Sequence, residues 1–153
     1  MKHYLKLIFL TVLIFSLLPI NTIAVVDTEI SKNIVYLEDG SYITVELAWI
    51  ESRIANSRTG SKTYTHQASN GDINWKAVLR GTFSYTGDSA TCITSTCDVT
   101  ITDTNWYEIS KVVGRSGSSA ICDLTMGRKL LGIKIDEVSV DLKLTCDANG
   151  NLS

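Results

Sequence analysis

Val138-Ser139-Val140-Asp141-Leu142-Lys143-Leu144-Thr145-Cys146 alternates apolar and polar residues without a break. Side chains of a β-strand point to opposite faces in turn, so this run has one buried and one wet face. The same period recurs upstream. Trp75, Ala77, Leu79, Phe83 and Tyr85 share one parity, with Lys76, Arg80, Thr82 and Ser84 opposite. Cys97, Val99 and Ile101 form a third stripe, and Ala120, Cys122, Leu124 and Met126 a fourth. Strands with a single apolar face belong to antiparallel sheets. Several of them, with few helical windows, predict an all-β fold, an antiparallel β-sandwich.

Turn residues punctuate these runs. Val35 to Glu38, then Asp39-Gly40, then Ser41 to Val45 reads as a hairpin, and Asp-Gly suits a type I′ turn. Ser57 to Ser61 reads as a loop, Lys62 to Gln67 as a weakly alternating strand, and Ser69 to Asp72 as a turn. Gly81 marks a bulge or bend, Gly114 to Gly117 a flexible turn, and Asp136-Glu137 a turn or bulge. Gly127-Arg128-Lys129 leads into a strand over Leu130 to Ile135. Glu46 to Asn56 fits two periods. Ile43, Val45, Leu47 and Trp49 alternate, while Leu47, Ile50, Ile54 and Ala55 have helical spacing. A strand giving way to a short helix or irregular segment is expected there.

The N-terminus carries a different signal. Lys2 and Lys6 precede the apolar run Leu7 to Leu18, Pro19 breaks it, and Thr22-Ile23-Ala24 presents small residues at the cleavage positions. This is the pattern of a secretory signal peptide over residues 1–24. The run is short for a bilayer span. The mature chain is expected to begin near Val25 and to be secreted. Residues 25–60 would hold the hairpin and the ambiguous segment and 61–153 the β-sandwich, with 25–153 one folded unit.

The net charge is −2, and removing Lys2 and Lys6 with the leader takes it to −4. A mildly acidic surface without a basic stripe gives no drive toward nucleic acid or, after leader cleavage, toward a membrane. Cys92, Cys97, Cys122 and Cys146 all lie in the mature part. An even count in an exported chain predicts two disulfides, and four cysteines allow three pairings. Each cysteine shares the apolar parity of its own strand, which places the four sulfurs in the core. There is no C-x-x-C spacing for a metal, and neither a metal nor a cofactor is expected.

No catalytic constellation stands out. His66 is the one mature histidine, and no nucleophile elbow accompanies it. It reads as an exposed strand residue. Asp147-Ala148-Asn149-Gly150-Asn151 begins like a calcium loop but lacks the closing acid, so it reads as a turn capping the last strand. Glu137 and Asp141 fall opposite the apolar stripe and read as solvated, not as a glycosidase pair. Trp49, Trp75, Trp106, Tyr64 and Tyr107 could form a sugar-stacking platform, although core roles suit most of them better. Trp106 and Tyr107 point to opposite faces, leaving one of them available for exposure.

One resemblance adds to this. Gly60 to Thr65, Trp75, Gly81 to Gly87 with Ala90-Thr91-Cys92, Leu131-Gly132-Ile133, and Leu142 to Cys146 with Asn149 to Ser153 resemble a family of small exported proteins of unknown function from Gram-positive bacteria. The resemblance implies pairing of Cys92 with Cys146, leaving Cys97 with Cys122, and a local Cys92–Cys97 link stays open. It carries no activity. The function expected is a secreted, non-enzymatic β-domain binding a cell-envelope or extracellular ligand, a polymer or a protein. The alternative is a small secreted effector, a bacteriocin-like toxin or a protein inhibitor.

Overall fold

Alternation becomes eight antiparallel strands in the computed structural model, which describes residues 30–50 and 55–153. The expected leader (1–24) and the expected start near Val25 lie outside the described residues. The strands are β1 (Ile30–Tyr36), β2 (Tyr42–Ile50), β3 (Ser57–Gln67), β4 (Ile73–Tyr85), β5 (Ala90–Ile101), β6 (Trp106–Ser116), β7 (Ser119–Leu130) and β8 (Ile133–Thr145). They form two sheets, a five-stranded one in the order β1-β2-β3-β4-β5 and a three-stranded one in the order β6-β7-β8. No helix occurs among the described residues.

The two sheets share one core. Trp75, Leu79 and Phe83 of β4 lie in one cluster with Leu124 and Met126 of β7 and Leu142 and Leu144 of β8, all buried. Burying a side chain of this size contributes about 1.5–3 kcal/mol. The β1–β2 hairpin belongs to the same sheet as β3 to β5.

Several expectations are corrected. Ser57 to Ser61 is strand, not loop, hydrogen-bonded to β2 on one side and β4 on the other. Its glycine explains the weak signal. Gly60 pairs with Gly81 across the ladder, and a Cβ on either would strike Leu152 or Phe83. Gly81 thus serves close packing, and the bulge lies one step on, between Thr82 and Phe83. Gly114 is within β6, and the turn there is Gly117-Ser118. Asp136-Glu137 is no turn: it lies within β8, paired with Arg128 and Gly127, and the bulge expected there falls beside it, leaving Ile135 unpaired. The turn between β7 and β8 is instead Leu131-Gly132, both at positive φ. Glu46 to Ile50 is strand, residues 51–54 lie outside the described residues, and Ala55-Asn56 is a turn.

The Asp39-Gly40 turn is not type I′, because only Gly40 has positive φ. Leu37 N donates to Ser41 O and Gly40 N to Leu37 O, which makes a three-residue loop closed by a left-handed glycine. Asp39 is not at positive φ, and its carboxylate accepts from Ser41 N at 2.9 Å and Ser41 Oγ at 2.6 Å. Ser69-Asn70-Gly71 and Ala148-Asn149-Gly150 repeat this bonding pattern.

All four cysteines are buried, and none stands at bonding distance from another. Cys92 and Cys97 are five apart, which would set them on opposite faces of a regular strand. Ile93 is the unpaired residue of the bulge between them, and it restores both to the core side. Cys97 on β5 and Cys122 on β7 lie within thiol hydrogen-bonding reach across the sheets, and Cys92 is close enough to Cys146 to influence its thiol.

Candidate functional site around His66

His66 is 1% exposed, which overturns its reading as an exposed strand residue. Its ring lies flat against Trp75, centroids 5.2 Å apart, and is tilted against Trp106 at 4.8 Å. The placement follows from register. Ile43, His66 and Trp75 are cross-strand partners on β2, β3 and β4, so all three face the same way.

Two polar side chains reach the ring nitrogens. Ser41 Oγ is 3.3 Å from Nε2, and Asn74 Nδ2 is 3.0 Å from Nδ1. Ser41 comes from the β1–β2 loop. Asn74 comes from the start of β4, where the register shifts: Gln67 pairs with Ile73 and His66 with Trp75, leaving Asn74 unpaired between them. That irregularity brings in a side chain that regular alternation would send outward. The Asn74 carbonyl also accepts from Thr102 N and Asp103 N, so the residue anchors the crossing between the sheets.

The direction of these bonds follows from proton counting. An ionised carboxylate only accepts, so the Ser41 hydroxyl proton goes to Asp39. His66 must then donate from Nε2 to Ser41 Oγ. A neutral imidazole has one N–H, so Nδ1 is bare and accepts from Asn74. Burial holds the His66 pKa below its ordinary value, opposed by Asp39 and Asp136 and reinforced by Arg128. Asp39 is itself lowered, first by the Ser41 hydroxyl and then by the Ser41 N–H.

Serine, histidine, asparagine and aspartate thus meet, but with the polarity reversed from nucleophile activation. A general base must accept the serine proton, whereas here His66 gives its proton toward Ser41.

These residues line a cavity of about 190 Å³, together with Trp106 and Arg128. Asp39 and Arg128 are exposed and carry opposite charges. Trp106 is buried, and its indole N–H has no hydrogen-bond partner.

Other candidates fall elsewhere. Trp75 and Tyr64 are buried, Trp49 is partly buried, and Tyr107 is half-buried across Gly127 on the outer face of the small sheet. Trp75 packs edge-on against Trp106, centroids 6.5 Å apart, but both are buried, so the pair offers no exposed stacking surface, and Tyr64, Trp49 and Tyr107 do not join it. Glu137 and Asp141 are exposed on that outer face. The Asp147 carboxylate accepts from Asn149 N, Asn151 N and Asn151 Nδ2, which lowers its pKa and closes the last turn. No group of three or more potential metal ligands occurs among the described residues.

Sequence reasoning missed Asp39, Ser41, Asn74 and Arg128. The available signal was the Asp-Gly-Ser loop, whose polar side chains precede a strand in register with His66. No family model, curated protein or solved structure matches the chain.

Proposed function

We propose that the chain is an exported, non-enzymatic β-domain that binds a ligand of the cell envelope or its surroundings, with the His66 cavity receiving a polar group of that ligand. The observation that carries this is the cavity itself, where Asp39 and Arg128 set opposite charges beside the buried His66 and Trp106. A group with both hydroxyl and carbonyl or carboxylate oxygens fits that lining: oxygens accept from Arg128, and hydroxyls donate to Asp39. Sugars and peptides of an envelope polymer carry such groups. The reversed proton order at His66 supports binding over hydrolysis.

Export rests on the leader pattern. Two disulfides, Cys92–Cys146 and Cys97–Cys122, are proposed for the oxidised protein, supported by the proximity of each pair. The resemblance to exported Gram-positive proteins is consistent with this reading.

The test is sedimentation with isolated cell walls, alongside tryptophan fluorescence with solubilised wall fragments. Saturable pelleting and a fluorescence change, both lost in Arg128→Gln with its thermal stability retained, are expected. A wild-type chain that stays wholly in the supernatant overturns the reading. The alternative of a small secreted effector is favoured by the apolar hairpin tip between β7 and β8, and it predicts growth inhibition or a protein target.

A further inference from the structure

The β7–β8 hairpin projects four large apolar side chains into solvent. Leu131 is 96% exposed, Ile133 70%, Leu130 58% and Ile135 51%. Two local costs accompany this display. Leu131 is the first residue of the turn and has φ +50°, with Gly132 at +82°. That position favours asparagine, aspartate or glycine, and a leucine there is strained. Lys129 and Lys134 are register partners, so like charges oppose each other across the ladder. Nothing in the fold needs either feature, because an Asn-Gly turn would close the same hairpin without strain.

Charge is layered along the hairpin. Residues 130–133 carry none. The first charged residues behind the tip are Lys129 and Lys134, one on each strand. The acids Asp136 and Glu137 lie further back, and Glu137 pairs with Lys134. Lys129 sits over the Tyr107 ring at 5.8 Å. At about 3.3 Å per residue, the apolar tip extends roughly 7 Å beyond the lysine pair. That depth matches the 5–10 Å to which apolar groups enter the boundary between headgroups and acyl chains.

We propose that this tip docks on an anionic lipid surface, Leu130, Leu131 and Ile133 entering the interface while Lys129 and Lys134 meet the headgroups. The surface would relieve the repulsion between the lysines and give the strained leucine its burial. This goes beyond the cavity reading and depends on none of its residues. It also departs from the sequence expectation of no membrane partner, which followed from net charge and could not register a local tip.

The experiment is vesicle sedimentation of the purified chain with phosphatidylcholine alone or mixed equally with phosphatidylglycerol. Binding to the mixed vesicles, weaker on phosphatidylcholine and weakened by salt, is expected. Leu131→Asn suits the turn, so it keeps or raises the melting temperature while lowering the partition coefficient about tenfold or more. Lys129→Gln lowers it on anionic vesicles only. Failure to bind the mixed vesicles, or equal binding by Leu131→Asn, overturns the proposal. So does tip-dependent self-association or protein capture without vesicle binding, which would make the tip a protein contact. Cell-wall pelleting that survives Leu131→Asn separates this surface from the cavity.

Discussion

His66 and Trp75 lie face to face as a cross-strand pair, their ring planes 9° apart. The stack excludes water from one side of the imidazole, and Trp106 crowds another. Burial therefore outweighs the nearby acids Asp39 and Asp136, and the ring is held neutral.

Stability should depend on pH through this histidine. Its folded pKa lies below the unfolded value of 6.5, so the unfolded chain binds the extra proton. The stabilisation is complete above pH 6.5 and is lost as pH falls below it toward the folded pKa. Each unit of depression is worth up to about 1.4 kcal/mol. Thermal melts between pH 8 and pH 5 should show the fall, and His66→Gln should flatten it. Asp39 and Asp147, both lowered from 3.8, add a separate loss that begins nearer pH 4.

Gly81→Ala should destabilise the chain by about 1–3 kcal/mol. The added Cβ would lie 2.6 Å from Phe83 Cζ and 3.1 Å from Ala120 Cβ. Phe83 is fully buried and cannot swing clear. A lowered urea midpoint with an unchanged slope is the expected result.

Leu124→Ala should cost about 2–5 kcal/mol, since Leu124 is 1% exposed between the sheets. Val112→Ala, on an exposed position of β6, should change stability by less than about 0.5 kcal/mol. Chemical denaturation of the two variants side by side measures the contrast.

The reduced thiols should resist alkylation. Burial raises all four, and it pushes Cys122 from 9.0 up to about 12. At pH 8 that lowers the Cys122 thiolate about a thousandfold. Iodoacetamide followed by mass spectrometry should find Cys122 unmodified until denaturant is added. In the oxidised chain, peptide mapping should find Cys97 with Cys122 and Cys92 with Cys146, and reduction should cost about 2–4 kcal/mol per bridge.

The stripes over Val138 to Cys146, Trp75 to Tyr85 and Ala120 to Met126 were legible because each sits on a strand with one buried face. Asn70-Gly71 and Asn149-Gly150 were legible as turns because few residues tolerate their geometry. His66 was not, since its burial depends on register with Trp75 and on Trp106, forty residues away in the other sheet. Asn74 was hidden by a bulge that alternation cannot announce. The Leu131-Gly132 turn was missed because its first residue is a poor one for the conformation it adopts.

Among the described residues, every strand-to-strand ladder joins neighbours in sequence, and only the step from β5 to β6 changes sheets. A chain released from its N-terminal end could therefore zip each hairpin as soon as the second arm emerged. Apolar faces of the larger sheet would stay open until β6 to β8 followed. The segment after β8 would then close over the sheet edge, where Leu152 bridges to Cys146 and covers Gly60. Leu152 would then work as a latch, and Leu152→Ala should quicken unfolding more than it slows assembly.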